Sequence, residues 1–345
     1  MSDSTTAAPT EKLTKKQLKA DHPTWCPACG DFAVLASFFN VVQKLGIPHE
    51  KICVVAGIGC SSRFPYFVNA HGIHFIHGRA LPLATGISLS RPDLHVFVFG
   101  GDGDGFSIGG NHLNHAARKN VNLSYVVMDN FVYGLTKNQT SPTTPIGRKS
   151  KTDPRGAIDR PINPMAQLVA SGATFIARSH AAQVKHMNEM FERAILHPGF
   201  SVVETLSECT MFYPGAFDDG NPRKGGAFEL VDEETQEMDS IEAAMGLTAD
   251  LSPGKFGVYY ETQRPTKNEL MGRIQYKNDR QPNQYQRQPN KHHQGSLRKH
   301  FSCSSSLQPD DHHYPERCLL EYQSFLMCKE YKVGQLLLTP GNQQE

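Results

Sequence analysis

The chain has 345 residues, enough for one large domain with appendages, and 39% of them are hydrophobic, enough for a buried core. A formal net charge of +1 gives no electrostatic case for binding nucleic acid or an anionic membrane. No run reaches the roughly 18 apolar residues of a spanning helix, and the polar N-terminus lacks the apolar stretch of a secretory signal, so a cytoplasmic protein is expected.

Residues 1–20 read as a flexible arm and residues 31–45 as a helix. The β-branched run 52–56 stops at Gly57 and reads as a buried strand. A second strand is expected at 94–99, ended by Gly100 and Gly101, then a helix over 108–119 and a strand over 123–128 that runs into Asp129 and Asn130. A helix at 164–170, a strand at 173–177, a helix at 181–196 and a strand at 201–205 complete the pattern. Near-continuously apolar strands alternating with helices predict an α/β fold with a doubly wound, mostly parallel sheet covered on both faces. Ligands of such sheets sit at the carboxyl ends of the strands. The α/β domain is expected to fill 21–270. Beyond it the texture changes to Asn, Gln, Arg, Lys and His, and 271–345 reads as an irregular, low-complexity tail with one short helix near 321–331.

Two constellations carry chemistry. Gly100-Gly101-Asp102-Gly103-Asp104 follows the strand at 94–99, and Asp129-Asn130 follows the next one. Glycines let a diphosphate approach the backbone closely. Magnesium takes oxygen ligands, and Asp102 can supply a carboxylate, Asn130 an amide oxygen and a nearby peptide a carbonyl. The second constellation is Cys26 and Cys29 in a Cys-x-x-Cys pair, Cys60 after the first strand and Cys209 after the last. Four thiolates suit zinc or a [4Fe–4S] cluster equally well, and Cys-x-x-Cys alone also suits a redox pair. Among the eight cysteines, Cys53 lies in an apolar strand and reads as structural. Cys303, Cys318 and Cys328, with His292, His293, His312 and His313, belong to the tail and receive no role.

The glycine-aspartate segment, with Gly109-Gly110-Asn111-His112 and the string 129–144, resembles the β-subunits of 2-oxoacid:ferredoxin oxidoreductases over about 22–268. The resemblance implies the thiamine-diphosphate-binding fold, with Mg²⁺ held by Asp102, Asn130 and the carbonyl of Val132. It implies that Gly101, Gly103, Asp104, Leu135 and Thr136 line the diphosphate, and that Ile58, Gly59, Cys60, Ser61, His77, Gly78 and Arg79 adjoin the cofactor. It implies a [4Fe–4S] cluster on Cys26, Cys29, Cys60 and Cys209, although the family's proline before the last cysteine is replaced by Glu208. Arg63 matches a basic position implicated in holding the 2-oxoacid, and a permanently charged Arg63 suits a dicarboxylate such as 2-oxoglutarate. His77 and Arg79 match a His-Gly-Arg segment beside the cofactor, where His77 could position substrate or donate a proton. The implied reaction is oxidative decarboxylation to an acyl-CoA with reduction of ferredoxin, in an α₂β₂ assembly whose α-subunit supplies the pyrimidine side of the site. Two rivals are a cluster-free thiamine-diphosphate decarboxylase or synthase subunit and a zinc-stabilised non-catalytic subunit. Past Arg264-Pro265-Thr266 the related subunits continue with a short charged helix, and the composition here departs from that, as a reading-frame change in the source gene would make it do.

Overall fold

The computed structural model describes residues 13–249 and 254–280. Seven strands among them form one sheet: β1 (Ile52–Ala56), β2 (His71–His74), β3 (His95–Gly101), β4 (Leu123–Asp129), β7 (Phe175–His180), β8 (Phe200–Leu206) and β9 (Gly257–Glu261). Their spatial order is β2-β1-β3-β4-β8-β7-β9, and every neighbouring pair is parallel except β7 and β9. A two-stranded hairpin, β5 (Val132–Tyr133) with β6 (Gln139–Thr140), stands apart.

Side-chain alternation divides the core into two layers. Val54, Phe97, Phe99 and Val126 face the helices α2 (Asp31–Leu45) and α6 (Val184–Leu196), where Phe38, Val42 and Phe191 meet them. Val55, Val96, Val98 and Val127 face the other way, onto α3 (Ala80–Ser90), α4 (Gly110–Lys119) and α5 (Pro164–Ala170). The topology explains the division. The chain steps from β1 to β3 to β4 and on to β7 through helices on one face. The return step from β7 to β8 runs the opposite way, and a right-handed crossover then requires α6 to lie on the other face.

Local chemistry sets the helix ends. Gly46 takes the left-handed conformation (φ 66°) after α2, and its N–H and that of Ile47 close on the carbonyls of Gln43 and Val42. Asn163 caps α5 by accepting from Ala166 N at 3.0 Å, with Pro164 in the first turn.

The expected doubly wound, mostly parallel sheet is the one observed, and α2, α5 and β1 have the expected bounds. Several bounds differ elsewhere. The strand expected at 173–177 is β7, which continues through the polar but buried Arg178, Ser179 and His180. The helix expected at 108–119 starts at Gly110, after a π-helical turn Gly103–Ile108. The expected arm is docked over its last residues: α1 (Lys15–Leu18) buries Leu18, and Asn69 N donates to the Leu18 carbonyl. The expected boundary at 270 falls inside α8 (Lys267–Arg280), so a charged helix does follow Thr266. Residues 281–345, with the tail cysteines and histidines and the helix expected near 321–331, lie outside the described residues. No helix among the described residues is long and apolar enough to cross a membrane.

Candidate active site

The neighbouring strands β1, β3 and β4 all point the same way, so the loops that follow them meet at one edge of the sheet. They border a cleft of about 470 Å³ empty volume. Beyond β3 the backbone widens into the π-turn, a form that concentrates at functional sites. Gly103 is obligatory there, because a Cβ would stand 2.1 Å from the ring of Tyr133.

Asp102 is buried at the cleft, with Oδ2 accepting from Thr143 Oγ1 at 2.9 Å. The same hydroxyl lies 2.8 Å from Asp129 Oδ1, while Asp129 Oδ2 is buried without a hydrogen-bond partner. Burial raises the Asp102 carboxyl above its usual range, against the pull of the Ser141 and Thr143 hydroxyls. Burial also pushes Asp129 well up, reinforced by Asp102 and Glu204. Phe131 then turns the chain sharply in the left-handed region (φ 61°), costly for a residue with a Cβ. Phe131 N donates to Asp129 Oδ1, Thr144 Oγ1 donates to the Phe131 carbonyl at 2.7 Å, and the Phe217 ring packs 4.5 Å away. This kink brings both Asn130 and Val132 to the cleft wall. Two such carboxyls with one orphaned oxygen, an amide oxygen and a peptide carbonyl make a hard-oxygen corner that could hold a divalent cation.

Every cofactor contact expected from the sequence lines this cleft except Gly78 and Arg79; Tyr133 and Gly134, which were not anticipated, line it too. Asp104 lines the cleft and also has a part that was not expected. Its buried side chain lies under Gly57, and Oδ1 accepts from Ile58 N at 3.0 Å and Gly78 N at 2.7 Å. It therefore fastens the β1 loop to the 77–79 segment, with its carboxylate spent on backbone N–H groups. His77 Nδ1 lies 2.8 Å from the same oxygen, misaligned for a hydrogen bond. Arg79 donates to the Ile108 carbonyl at 3.0 Å. Arg63 does not reach the cleft lining; its Nη1 donates to the Thr24 carbonyl at 3.3 Å, so the expected pair of Arg63 and His77 is not brought together here.

The four expected cysteines lie on segments that are fastened to one another. Ala28 (φ 61°) tightens the Cys-x-x-Cys turn, with Cys29 N donating to the Cys26 carbonyl. Three bonds fasten this turn to the segment after β8: Gly30 N to the Glu208 carbonyl, Thr210 Oγ1 to the Pro27 carbonyl, and Ser207 Oγ to Asp31 Oδ1 at 2.6 Å. Trp25 Nε1 donates to the Cys60 carbonyl at 2.7 Å. Glu208, in place of the family's proline, accepts from Gly215 N and closes the following loop. Burial lifts the Cys29 thiol far above its ordinary range, helped by Asp31, Cys209 and Cys60. Burial pushes Cys60 up to about 12, helped by Asp31, Cys209 and Cys26. Each of these thiols is thus within electrostatic reach of others in the set. Among the described residues no three His, Cys, Asp or Glu side chains are set to hold a single ion. Cys53 stands apart on β1, buried, its thiol raised to about 11 by burial.

Gly134 joins the two constellations. It lines the cleft, and a Cβ placed on it would lie 3.6 Å from Cys209 Sγ and 3.7 Å from Cys60 Sγ.

Residues 57–205 match the family described as thiamine pyrophosphate enzyme, C-terminal TPP binding domain. That stretch holds every residue that lines the cleft. The chain is 45% identical to the 2-oxoglutarate synthase subunit KorB of Archaeoglobus fulgidus over 185 residues, 54% of this chain and 69% of that one. Its fold matches that of a 2-oxoglutarate:ferredoxin oxidoreductase from Magnetococcus marinus, solved with 2-oxoglutarate, coenzyme A and succinyl-CoA bound. The TM-score is 0.74 at 37% identity, covering 81% of this chain and 98% of that one. The chain belongs to the 2-oxoacid:ferredoxin oxidoreductase β-subunits. It is also 45% identical to the 2-oxoglutarate oxidoreductase subunit KorB of Mycobacterium tuberculosis and to the 2-oxoacid:ferredoxin oxidoreductase subunit beta of Saccharolobus solfataricus. Those matches cover 60% and 56% of this β-subunit, which spans only 55% and 65% of the relatives' lengths.

Of the residues that complete this β-subunit's site, Thr143, Asp129, Tyr133 and Gly134 went unassigned in the sequence. The run of hydroxyls Ser141, Thr143 and Thr144 shortly after the Asn130 kink was the available signal.

Proposed function

We propose that this chain binds Mg²⁺–thiamine diphosphate in the cleft and a [4Fe–4S] cluster on Cys26, Cys29, Cys60 and Cys209. With an α-subunit it catalyses oxidative decarboxylation of a 2-oxoacid, 2-oxoglutarate by its relatives' names, to the acyl-CoA in the cytoplasm. The observation that carries this reading is Gly134, where the cleft wall and two of the four thiols meet. When bound, thiamine diphosphate supplies the decarboxylation chemistry, the cluster carries the electrons to ferredoxin, and coenzyme A accepts the acyl group.

The chain's own residues hold and orient. Asp102, Asn130 and the Val132 carbonyl take the magnesium, a donor set of hard oxygens in which the cation offsets the burial of Asp102 and Asp129. Gly101 and Gly103 leave the backbone open to the diphosphate, beside Leu135 and Thr136. His77, half-exposed on the wall, orients the substrate's oxygen atoms. Arg63, outside the cleft lining with Nη1 donating to the Thr24 carbonyl, takes no substrate role in this reading. The buried thiols resist deprotonation alone, and a soft iron core stabilises them as thiolates.

Anaerobic co-purification with an α-subunit, followed by iron and sulfide analysis and viologen reduction across a panel of 2-oxoacids, tests the reading. Iron with 2-oxoglutarate-dependent reduction is expected. Stoichiometric zinc without iron would overturn the cluster, and an Asp102→Ala variant that kept thiamine diphosphate would overturn the metal corner.

A further inference from the structure

Arg148 belongs to no helix or strand, and none of the roles above uses it. Its Nη2 donates to Asn138 Oδ1 at 2.7 Å and to the Phe212 carbonyl at 2.8 Å. Its guanidinium carbon lies 4.3 Å from the ring centroid of Tyr213. Tyr213 N in turn donates to the Cys209 carbonyl at 2.9 Å. One side chain therefore fastens the loop that carries Gly134 and Asn138 to the loop that carries Cys209. Lys137 and Asn138 are both left-handed (φ 73° and 75°), a conformation costly for the lysine, so the clamp has backbone strain to resist.

The other terminal nitrogen is the informative one. Nη1 is buried and has no hydrogen-bond partner. A buried cationic N–H without an acceptor is costly and calls for one. The guanidinium lies against the Tyr213 ring, and Tyr213 N is bonded to the Cys209 carbonyl, so the cation sits beside the loop that presents the Cys209 sulfur. A thiolate or sulfide of an iron–sulfur core beside Cys209 is an acceptor of the right sign.

We propose that Arg148 is a positioning and tuning residue for the cluster: it donates from Nη1 toward the Cys209 side and raises the cluster's reduction potential. This rests on the cluster reading given above. A fixed positive charge favours the more negative, reduced state, and hydrogen bonds to sulfur act in the same direction. No other residue of the described chain needs to change for the effect to be lost.

The test uses the full chain co-purified anaerobically with its α-subunit, as wild type, Arg148→Gln and Arg148→Lys, with iron content and an EPR-monitored redox titration. Arg148→Gln is expected to retain iron and to shift the ratio of reduced to oxidised cluster at fixed poise about tenfold toward oxidised, about 59 mV for a one-electron couple. Arg148→Lys, which keeps the charge but not the planar fork, should recover part of that shift. An iron-replete Gln variant with unchanged potential overturns the proposal. Loss of iron from both variants, with iron retained in wild type, also overturns it, leaving only a mechanical clamp. Wild type without iron fails the cluster reading itself.

Discussion

A threonine hydroxyl has one proton to donate, yet Thr143 Oγ1 stands within hydrogen-bond distance of two buried carboxyls, Asp102 and Asp129. It can serve both only if it donates to one and accepts a proton held by the other, which agrees with the upward push that burial gives both groups. Such outer partners of a metal ligand typically contribute 10–100-fold in metal affinity. Thr143→Val is therefore expected to weaken Mg²⁺-dependent thiamine diphosphate binding by about that factor, and Thr143→Ser to preserve most of it. Equal binding by the Val and Ser variants, measured by titration calorimetry, would count against this role. His180 offers a pH-dependent counterpart away from the cleft. Ala182 N donates to its Nδ1 at 2.9 Å, which fixes the proton on Nε2, facing the Phe217 carbonyl at 3.2 Å. Burial lowers its pKa, so below about 6.5 the unfolded chain binds a proton that the folded chain refuses. Its stabilising contribution is present above that pH and is lost as pH falls through the depressed folded value. Urea unfolding of His180→Gln should show a shallower loss of stability below neutrality, by at most about 1.4 kcal/mol per pH unit. A slope equal to wild type would refute the assignment.

At the scale of elements, the pairing of β7 with β8 contains a buried ion pair. Arg178 and Glu204 are register partners, and Arg178 Nε donates to Glu204 Oε2 at 2.5 Å with both side chains buried. Burial pulls against the Arg178 charge, and Glu204 and Tyr259 outweigh it. Removing one member of a buried pair strands the other, so Glu204→Leu should destabilise the fold by roughly 3–5 kcal/mol. Arg178→Met combined with Glu204→Leu should be markedly less damaging than Glu204→Leu alone. A double variant as unstable as the single changes added together would show that the pair is not coupled. The same residues explain why β7 ends three residues later than hydropathy suggests. Arg178 is buried because Glu204 on β8 satisfies it, and His180 because the Phe217 carbonyl and Ala182 N do. The edge strand β2 was hidden for a related reason: His71-Gly72-Ile73-His74 has no strand pattern of its own and is extended by pairing with β1.

On the scale of the whole molecule, the cleft opens among exposed apolar side chains. Ile58 and Leu135 line it at 37% and 47% exposure, while Ile76 and Ile108 flank the Gly78 turn. Apolar side chains gathered at the mouth of a cleft suit a covering surface, which in the proposed assembly is the α-subunit. Ile76→Asp is expected to leave the chain's own stability within about 0.5 kcal/mol and to abolish co-purification with the α-subunit. Intact co-purification, with α-dependent viologen reduction, would move the interface elsewhere.

What the sequence determined by itself was local or periodic. Strands buried on both faces are mostly apolar, so β1, β3, β4 and β8 were legible, as were α2 with Gly46 behind it and α5 with Asn163 before it. The Gly101-Asp102-Gly103 turn, Asn130, Cys60 and Cys209 were legible because each follows the end of a strand, and Cys26 and Cys29 because of their Cys-x-x-Cys spacing. Tertiary structure alone decided how these ends meet. Asp104 and Arg79 were turned inward by backbone groups far along the chain, and Arg63 was kept off the cleft. Thr143 and Arg148 act through hydrogen bonds between loops, and such bonds depend on distances that the order of residues does not encode. Gly134 shows the division most plainly: in sequence it follows a tyrosine in a loop, and only the folded chain sets it between the cleft and the thiols of Cys60 and Cys209.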